Sequence, residues 1–261
     1  MKYRRIFVTS SKGGVGKSTV TANLASAFAA LGHRTLVVDF DLSNRSLDML
    51  FGCEDRVLYD IGDLIDGTAG TEDVLLRRAP RLYFVPGYAI CRKAPSRASF
   101  EEALCKLEKA TRAEIVLIDT SGSADSSAKI ASKLCEAAIV VSTESAVSVR
   151  AAESSAALLA EAGVKRQWLV INRFRTSLFR RESTAVSEII DRTKLPIIGL
   201  VPHSEYLASE QEEGRLIAEA EYRDNCRAAF RNIARRLNGR DVPLFDGFSR
   251  MSDWRRRLLL R

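Results

Sequence analysis

One segment near the amino terminus constrains the fold of this chain more than any other feature. Residues 11–19 read Ser-Lys-Gly-Gly-Val-Gly-Lys-Ser-Thr; an apolar run over 5–9 precedes them, and apolar residues at helical spacing follow over 20–31. A phosphate-binding loop requires a strand, a glycine-rich loop and a helix in that order. The glycines let backbone N–H groups approach phosphate oxygens, and the helix N-terminus adds the positive end of its dipole. The segment therefore predicts a site for nucleotide phosphates.

Some side chains of this segment are expected to bind phosphate and others to bind the metal ion. Lys17 is expected to reach the β- and γ-phosphates, Ser18 to place its hydroxyl on Mg²⁺, and Thr19 to lie near the α-phosphate. A second lysine, Lys12, has no evident task, because one lysine suffices to neutralise a phosphate. The nucleotide-binding residues expected here are Ser11, Lys12, Gly13, Gly14, Val15, Gly16, Lys17, Ser18 and Thr19.

Short apolar runs alternate with stretches of helical spacing along most of the chain. Continuous apolar strands indicate a sheet covered on both faces, and strand–helix–strand repetition indicates a parallel sheet with right-handed crossovers. The pattern predicts a three-layer α/β fold of the P-loop NTPase type, with a mostly parallel central sheet, as a domain over residues 1–243. The strands are expected at 5–9, 35–40, 82–86, 114–119, 138–142, 167–172 and 197–201, and the helices at 20–31, 100–110, 128–135, 149–162 and 186–190.

Acidic residues close two of these predicted strands. Asp39 and Asp41 end the second strand, and Asp119 ends the fourth. In a parallel sheet, ligands bind beyond the carboxyl ends of the strands, where carboxylates can hold Mg²⁺ or orient a water molecule. Alternation along a strand puts Asp39 and Asp41 on the same side. We therefore expect Mg²⁺ near Ser18, Asp39, Asp41 and Asp119.

Positive charge is concentrated at the carboxyl terminus. The formal net charge is +7, and residues 250–261 contribute +4 of it through five arginines and one aspartate. On a helix over 248–261, the large apolar residues other than Leu260 share one face, as in segments that lie in a membrane interface. We expect residues 244–261 to form this amphipathic segment, with Arg255 snorkelling beside the apolar face. The expected membrane contacts are Phe248, Met251, Trp254, Arg255, Leu258 and Leu259.

Composition limits the class and the compartment of the protein. Hydrophobic residues make up 46% and charged residues 28%, the balance of a globular chain. Its apolar runs are far shorter than the ~20 residues that cross a membrane, and its start does not have the pattern of a signal peptide. The five cysteines include no pair at two-residue spacing, which is typical of reduced thiols. We expect a cytoplasmic protein.

Residues 11–19 resemble the deviant Walker A motif of the MinD/ParA ATPase family, and residues 39–41 resemble its second motif. Further matches lie at 148–150, 169–173, 231–237 and 242–243. The resemblance implies an ATP-dependent homodimer in which Lys12 crosses to the nucleotide of the partner subunit. It also implies Mg²⁺-dependent ATP hydrolysis with Asp41 orienting the water and Asp39 near the metal. The catalytic residues are then Lys12, Lys17 and Asp41.

The resemblance also implies a base site and contains several departures, among them Thr143-Glu144-Ser145 for the usual Thr-Pro-Glu and Ala151-Ala152 where the family often has acids. An Asn at the end of a Val-Ile-Asn-Arg strand contacts adenine in the family, so Asn172 takes that role, with Arg173 and Pro202 beside it. Ser11 stands where the ordinary loop begins with Gly. Residues 120–123 read Thr-Ser-Gly-Ser where the family usually has Ser-Pro-Ala-Gly.

Residues 36–65 point to the MinD branch of the family. That branch implies a membrane-cycling ATPase that positions the division septum and lies on the inner face of the cell membrane when ATP-bound. Its partners would be an anionic membrane, a MinC-like inhibitor and a MinE-like or other topological regulator, with no specific nucleic acid. The alternatives are a ParA-like DNA or plasmid segregation ATPase, a flagellar-placement relative and an ATP-dependent iron–sulfur carrier.

Overall fold

Eight strands form one sheet in the computed structural model, which describes residues 4–42, 45–89, 94–175, 179–220 and 224–248, the side chains of 179–185 excepted. In chain order the strands are β1 (Arg5–Ser10), β2 (Thr35–Phe40), β3 (Leu76–Ala79), β4 (Leu82–Val85), β5 (Ile115–Gly122), β6 (Ala137–Ser142), β7 (Gln167–Phe174) and β8 (Ile197–Pro202). Their order across the sheet is β3-β4-β2-β5-β1-β6-β7-β8. All neighbouring pairs are parallel except β3 with β4, so the predicted mostly parallel α/β fold is confirmed.

Helices connect the parallel strands and cover both faces of the sheet. They are α1 (Lys17–Ala30), α2 (Leu47–Leu50), α3 (Ile61–Asp66), α4 (Thr71–Val74), α5 (Arg97–Thr111), α6 (Ser126–Leu134), α7 (Ala146–Glu161), α8 (Phe179–Thr193), α9 (Glu205–Glu212) and α10 (Asn225–Leu237), with a 3₁₀ turn at Glu54–Arg56. In the part of the chain that the structure describes, none of these helices is long and apolar enough to cross a membrane.

Two hydrophobic cores lie on opposite faces of the sheet. Alternate residues of β1 enter different cores: Ile6 and Val8 pack with α1 and α10, whereas Phe7 packs with α5 and α7. Since successive side chains of a strand point to opposite faces, a strand between two cores needs apolar residues at every position. This explains the continuous apolar runs of the sequence.

The structure differs from the sequence-based expectation at two strands. The antiparallel edge strand β3 was not predicted, because its Leu-Arg-Arg-Ala sequence has no apolar run. β5 continues past Asp119 to Gly122. The backbone N–H of Ser121, in this continuation, donates to the Ser127 hydroxyl of α6 over 3.3 Å, a bond that a proline at this position has no N–H to make.

Phe248, expected on the membrane face, lies instead in the core. It is 2% exposed, and its ring meets that of Phe245 edge to face with the centroids 5.3 Å apart. A phenylalanine that is already buried by its own domain gains nothing by entering a membrane. The other expected membrane residues, Met251, Trp254, Arg255, Leu258 and Leu259, lie outside the described residues. The boundary between the ATPase domain and the C-terminal segment at residue 243 stays a prediction. Buried side chains continue past it as far as Phe248.

Candidate nucleotide-binding site

The glycine-rich loop joins β1 to α1 at the carboxyl edge of the sheet, with β5 and β6 on either side of β1. Gly16 is the residue before α1 and has φ +87°. A Cβ atom built on Gly16 would lie 2.2 Å from Nδ2 of Asn172, so both the backbone conformation and the available space require glycine.

The end of β7 supports this loop from its buried side. Asn172 is 2% exposed, and its Nδ2 donates to the Val15 carbonyl oxygen over 2.9 Å. The next residue, Arg173, has φ +55° and donates from Nη1 to the Gly14 carbonyl oxygen over 3.2 Å. The structure therefore gives both residues contacts with the loop backbone. Their contact with a base stays a prediction.

Lys17 and Ser18 meet the two predicted acidic strand ends. The Lys17 ammonium lies 3.4 Å from Asp119 Oδ2 and 3.6 Å from Asp41 Oδ2. The Ser18 hydroxyl donates to the same Asp119 oxygen over 2.7 Å. Thr21, which the sequence analysis missed, donates to Asp119 Oδ1 over 2.9 Å. The spacing of Thr21, one helical turn after Lys17, is the only sequence signal for this contact.

Burial and neighbouring charges together shift the pKa values of the ionisable groups. Burial lowers the pKa of Lys17, but the carboxylates of Asp119, Asp41 and Asp39 outweigh it and leave the pKa raised. Burial raises the pKa of Asp39 well above its ordinary value, and the neighbouring Asp119 carboxylate adds to the effect. Burial also raises the pKa of Asp119, against the opposing effect of Lys17. Lys17 is thus held as a cation, and burial makes Asp39 and Asp119 harder to ionise.

Asp39 has a distinctive position beside Asp119. The two residues are in register on the neighbouring strands β2 and β5, and each is 1% exposed. Asp39 Oδ1 accepts the backbone N–H of Asp41 over 3.0 Å, whereas its buried Oδ2 has no partner among the described residues. This oxygen is an unused acceptor at the predicted metal site.

The donor set fits Mg²⁺ if a nucleotide supplies further ligands. In the described ranges, no three His, Cys, Asp or Glu side chains surround a candidate cation position. Mg²⁺ usually takes one or two carboxylates, several waters and the phosphates of a substrate. The Ser18 hydroxyl with the Asp119 carboxylate, and the unused oxygen of Asp39 nearby, match that chemistry.

A cavity of about 1040 Å³ opens in front of the loop. The whole predicted segment from Ser11 to Thr19 lines it, as does Asp41, while Asn172, Arg173 and Pro202 do not. Pro202 is instead buried, and its carbonyl oxygen accepts from the Cys226 thiol over 3.3 Å. The sequence analysis assigned no role to these further lining residues: Ser46, Met49, Gly52, Ser121, Gln211 and Gly214.

Lys12 and Ser11 occupy the start of the loop and contact α7. The Lys12 ammonium lies 3.5 Å from the hydroxyl of Ser145, the residue that caps α7, and the Ser10 hydroxyl donates to the Lys12 carbonyl oxygen over 2.9 Å. The Ser11 hydroxyl lies 2.6 Å from that of Ser155. Lys12 is thus held at the rim of the cavity, while Lys17 lies at its base.

The sheet order, the glycine loop and the lysine between two acidic strand ends define a P-loop NTPase. A model of the ParA family, described as NUBPL iron-transfer P-loop NTPase, matches residues 2–238. The chain belongs to the MinD/ParA family of P-loop NTPases.

Individual relatives are similar over nearly the whole chain. A septum site-determining protein MinD of Synechocystis is 31% identical, covering 93% of this chain and 92% of the relative. The septum site-determining protein MinD of Bacillus subtilis is 32% identical, covering 92% and 90% respectively. A MinC:MinD cell division protein complex of Aquifex aeolicus contains a chain with a TM-score of 0.83 at 29% identity, covering 92% of this chain and 98% of that one.

Proposed function

We propose that this chain is a Mg²⁺-dependent ATPase that cycles between cytoplasm and membrane and positions the division septum. One observation carries the proposal: the Lys17 ammonium lies between Asp119 and Asp41 at the start of α1, beside a cavity of nucleotide size. Lysine for phosphate, a hydroxyl–carboxylate pair for metal and a further carboxylate for water are the parts that triphosphate hydrolysis needs. Both relatives named above are septum site-determining proteins.

The phosphates are bound by backbone and by charge. A methyl group on Gly13 or Gly14 would meet no atom within 4 Å, so the loop backbone is open to phosphate oxygens. The N-terminus of α1 directs its dipole to the same place, and Lys17 adds a full positive charge. The geometry favours a polyphosphate ligand over a singly charged anion.

Hydrolysis depends on placement, because phosphoryl transfer needs little covalent chemistry from the protein. Bound Mg²⁺, held by Ser18 and Asp119, would supply charge neutralisation on the phosphates. Asp41 lines the cavity 3.6 Å from the Lys17 ammonium and accepts a hydrogen from the attacking water, which orients its oxygen toward the γ-phosphate. Lys17 places its positive charge beside the negatively charged γ-phosphate.

Lys12 contacts the nucleotide that is bound to a second copy of the chain. Among the described residues Lys12 forms no ion pair, and its contact with the Ser145 hydroxyl, at 3.5 Å, is long. Its charge is thus available to the triphosphate of a partner subunit across an ATP-dependent homodimer interface. ATP would join two copies, and hydrolysis would separate them.

Dimerisation controls membrane binding because a dimer has two C-terminal tails, residues 249–261 of each copy, where a monomer has one. One short basic amphipathic segment, residues 249–261, binds an anionic membrane weakly and reversibly. Two tails in a dimer bind together at an effective concentration of order millimolar, which raises avidity by about 10²–10⁴. The MinC:MinD complex of the Aquifex relative supports a MinC-like inhibitor as a partner of the membrane-bound dimer, with a MinE-like regulator releasing it.

Sedimentation with anionic phosphatidylglycerol vesicles tests the proposal. The full chain should sediment with ATP and Mg²⁺, and remain in the supernatant with ADP or without nucleotide. Lys12→Ala should keep most of its nucleotide affinity and lose ATP-dependent sedimentation. Asp41→Ala should bind ATP, sediment and fail to hydrolyse it. Deleting residues 249–261 should leave ATP-dependent dimerisation intact and remove sedimentation. Equal sedimentation in ATP and ADP would contradict the mechanism.

Iron transfer is a second candidate, because the matching family model carries that description. Cluster binding requires thiolates in reach of one another. Burial raises the pKa of Cys53 to about 11 and also raises the pKa of Cys135 and Cys226. These cysteines and Cys105 form no metal cluster in the part of the chain that the structure describes. An iron-loaded dimer after anaerobic reconstitution would favour this candidate over the septum protein.

A further inference from the structure

Three serine hydroxyls from three different segments meet beside the start of the phosphate loop. Ser11 belongs to the loop, Ser123 follows β5, and Ser155 lies in the middle of α7. The Ser155 oxygen lies 2.6 Å from that of Ser11 and 2.7 Å from that of Ser123, and Ser11 and Ser123 are also in hydrogen-bond contact. Ser155 is 0% exposed and Ser123 5% exposed. We call these three residues the serine cluster.

The number of hydroxyl protons makes Ser155 the centre of the serine cluster. The Ser155 oxygen also lies 2.9 Å from the carbonyl oxygen of Ala151, so the cluster has four contacts and only three protons. A carbonyl oxygen can only accept, and therefore Ser155 donates to Ala151. Its two lone pairs can then accept from Ser11 and from Ser123, an arrangement in which the close contact between Ser11 and Ser123 carries no proton. One buried oxygen thereby anchors two loops to α7.

Two members of the serine cluster stand at positions where the sequence departs from the usual pattern of the phosphate loop or of the family. Ser11 stands where the ordinary loop begins with Gly, and Ser123 where the family pattern also has Gly. Glycine has no side-chain donor, so both departures add a hydroxyl, and both hydroxyls reach the same acceptor. Each serine therefore makes a contact with Ser155 that glycine has no side chain to make.

The same helix also contacts the residue next to Ser11. Lys12 reaches Ser145 at the start of α7, while Ser11 reaches Ser155 two to three turns further along the helix. The backbone of Ser123 is tied to the loop as well, because its N–H donates to the Ser10 carbonyl oxygen over 3.2 Å. The start of the phosphate loop thus contacts α7 at two points, of which the buried contact of Ser11 with Ser155 is the shorter.

We propose that Ser155 is a positioning residue that, through Ser11, holds Lys12 in place for its role across the dimer. The inference rests on the proposed function only for that role of Lys12. The contacts hold Ser11 and Lys12 against α7 in the nucleotide-free chain. Misplacement of Lys12 should lower the rate by about two- to tenfold, the range expected for the loss of one neutral hydrogen bond.

The test compares Ser155→Ala with Ser154→Ala. Ser154 is a matched control, because it lies on the same helix and also donates to a carbonyl oxygen one turn earlier, that of Arg150, but it is exposed. In ATPase assays with anionic vesicles, Ser155→Ala should lower kcat about two- to tenfold and leave KM within about twofold. Ser154→Ala should match the wild-type chain. A merely structural role would lower the melting temperature without this division between kcat and KM.

A double-mutant cycle identifies the path from Ser155 to Lys12. If Ser155 acts through Ser11, then Ser155→Ala should have little further effect on kcat in a Ser11→Ala background. Additive losses would overturn the inference, as would a Ser155→Ala kcat equal to that of Ser154→Ala.

Hydrogen–deuterium exchange without nucleotide separates this inference from the proposed function. Ser155→Ala should speed exchange at residues 11–13 and 121–125, whereas Ser154→Ala should not. Unchanged exchange would overturn the inference even if the chain is an active ATPase. Faster exchange in a chain that shows no ATP hydrolysis would contradict only the proposed function.

Discussion

The side-chain amide of Asn172 donates a hydrogen bond to the carbonyl oxygen of Val15 over 2.9 Å and so fastens the phosphate loop to the end of β7. The amide nitrogen also occupies the space that a side chain at Gly16 would need. Asn172 is therefore part of the support that gives the loop its shape, whatever further contact it makes with a nucleotide.

This contact predicts that Asn172→Ala weakens the binding of phosphates as well as of bases. The variant leaves a buried carbonyl oxygen without its donor, which costs about 1–3 kcal/mol. ATP affinity should therefore fall by about 5- to 150-fold, and the affinity for inorganic tripolyphosphate should fall by a similar factor. Isothermal titration of both ligands measures this. A loss confined to ATP would assign Asn172 to base recognition instead.

Gly16→Ala should abolish nucleotide binding while the domain stays folded. The new methyl group would meet Asn172 Nδ2 at 2.2 Å at a residue with φ +87°. Gly163→Ala is a matched control, because Gly163 has φ +84° but no atom within 4 Å of the added methyl. Both variants incur the backbone cost of about 1–2 kcal/mol, and only Gly16→Ala should lose binding of a fluorescent ATP analogue. Equal binding by both variants would contradict the tight fit.

Asp39→Asn should stabilise the nucleotide-free protein at neutral pH. Burial, then the Asp119 carboxylate, raises the pKa of Asp39 above its ordinary value of 3.8. A raised carboxyl pKa leaves stability fully present below pH 3.8 and removes it as the pH rises through the folded-state pKa. Asparagine avoids this loss and keeps the oxygen that accepts the Asp41 N–H.

Thermal unfolding at several pH values measures the effect of Asp39→Asn. The melting temperature should rise by about 2–4 °C for each kcal/mol gained, and the gain should shrink as the pH falls toward 3.8. Mg²⁺-dependent ATP binding should weaken at the same time. Replacing the exposed Asp191 by Asn should change neither quantity. A gain that does not depend on pH would show that charge on Asp39 is not its cause.

Phe248→Ala should destabilise the domain rather than weaken membrane binding directly. Removing a buried phenylalanine side chain typically costs about 3–5 kcal/mol, and Phe248 is 2% exposed against Phe245. A chain that ends at residue 248 should unfold at the wild-type temperature, whereas one that ends at 247 should unfold earlier. Calorimetry of the two truncations measures this difference. Equal melting temperatures would mean that Phe248 contributes nothing to the core.

The sequence alone determined the local parts of the site. Residues 11–19, the strand ends with Asp39, Asp41 and Asp119, and the parallel sheet all follow from patterns within short windows. Such patterns are readable because loop backbone, strand alternation and helical spacing are set by neighbouring residues. The edge strand β3 was not predicted, since its pairing with β4, rather than its own residue pattern, makes it a strand.

Only the tertiary structure decided which distant residues meet at the loop. Asn172 and Val15 are 157 positions apart in sequence, and Ser11 and Ser155 are 144 apart. Their contacts depend on the order of strands across the sheet, which places the ends of β1, β5, β6 and β7 side by side. The position of Phe248 is equally a result of packing, because a periodic apolar face fits a domain core as well as a membrane. Periodicity identifies the face that will be buried, and the folded chain determines what buries it.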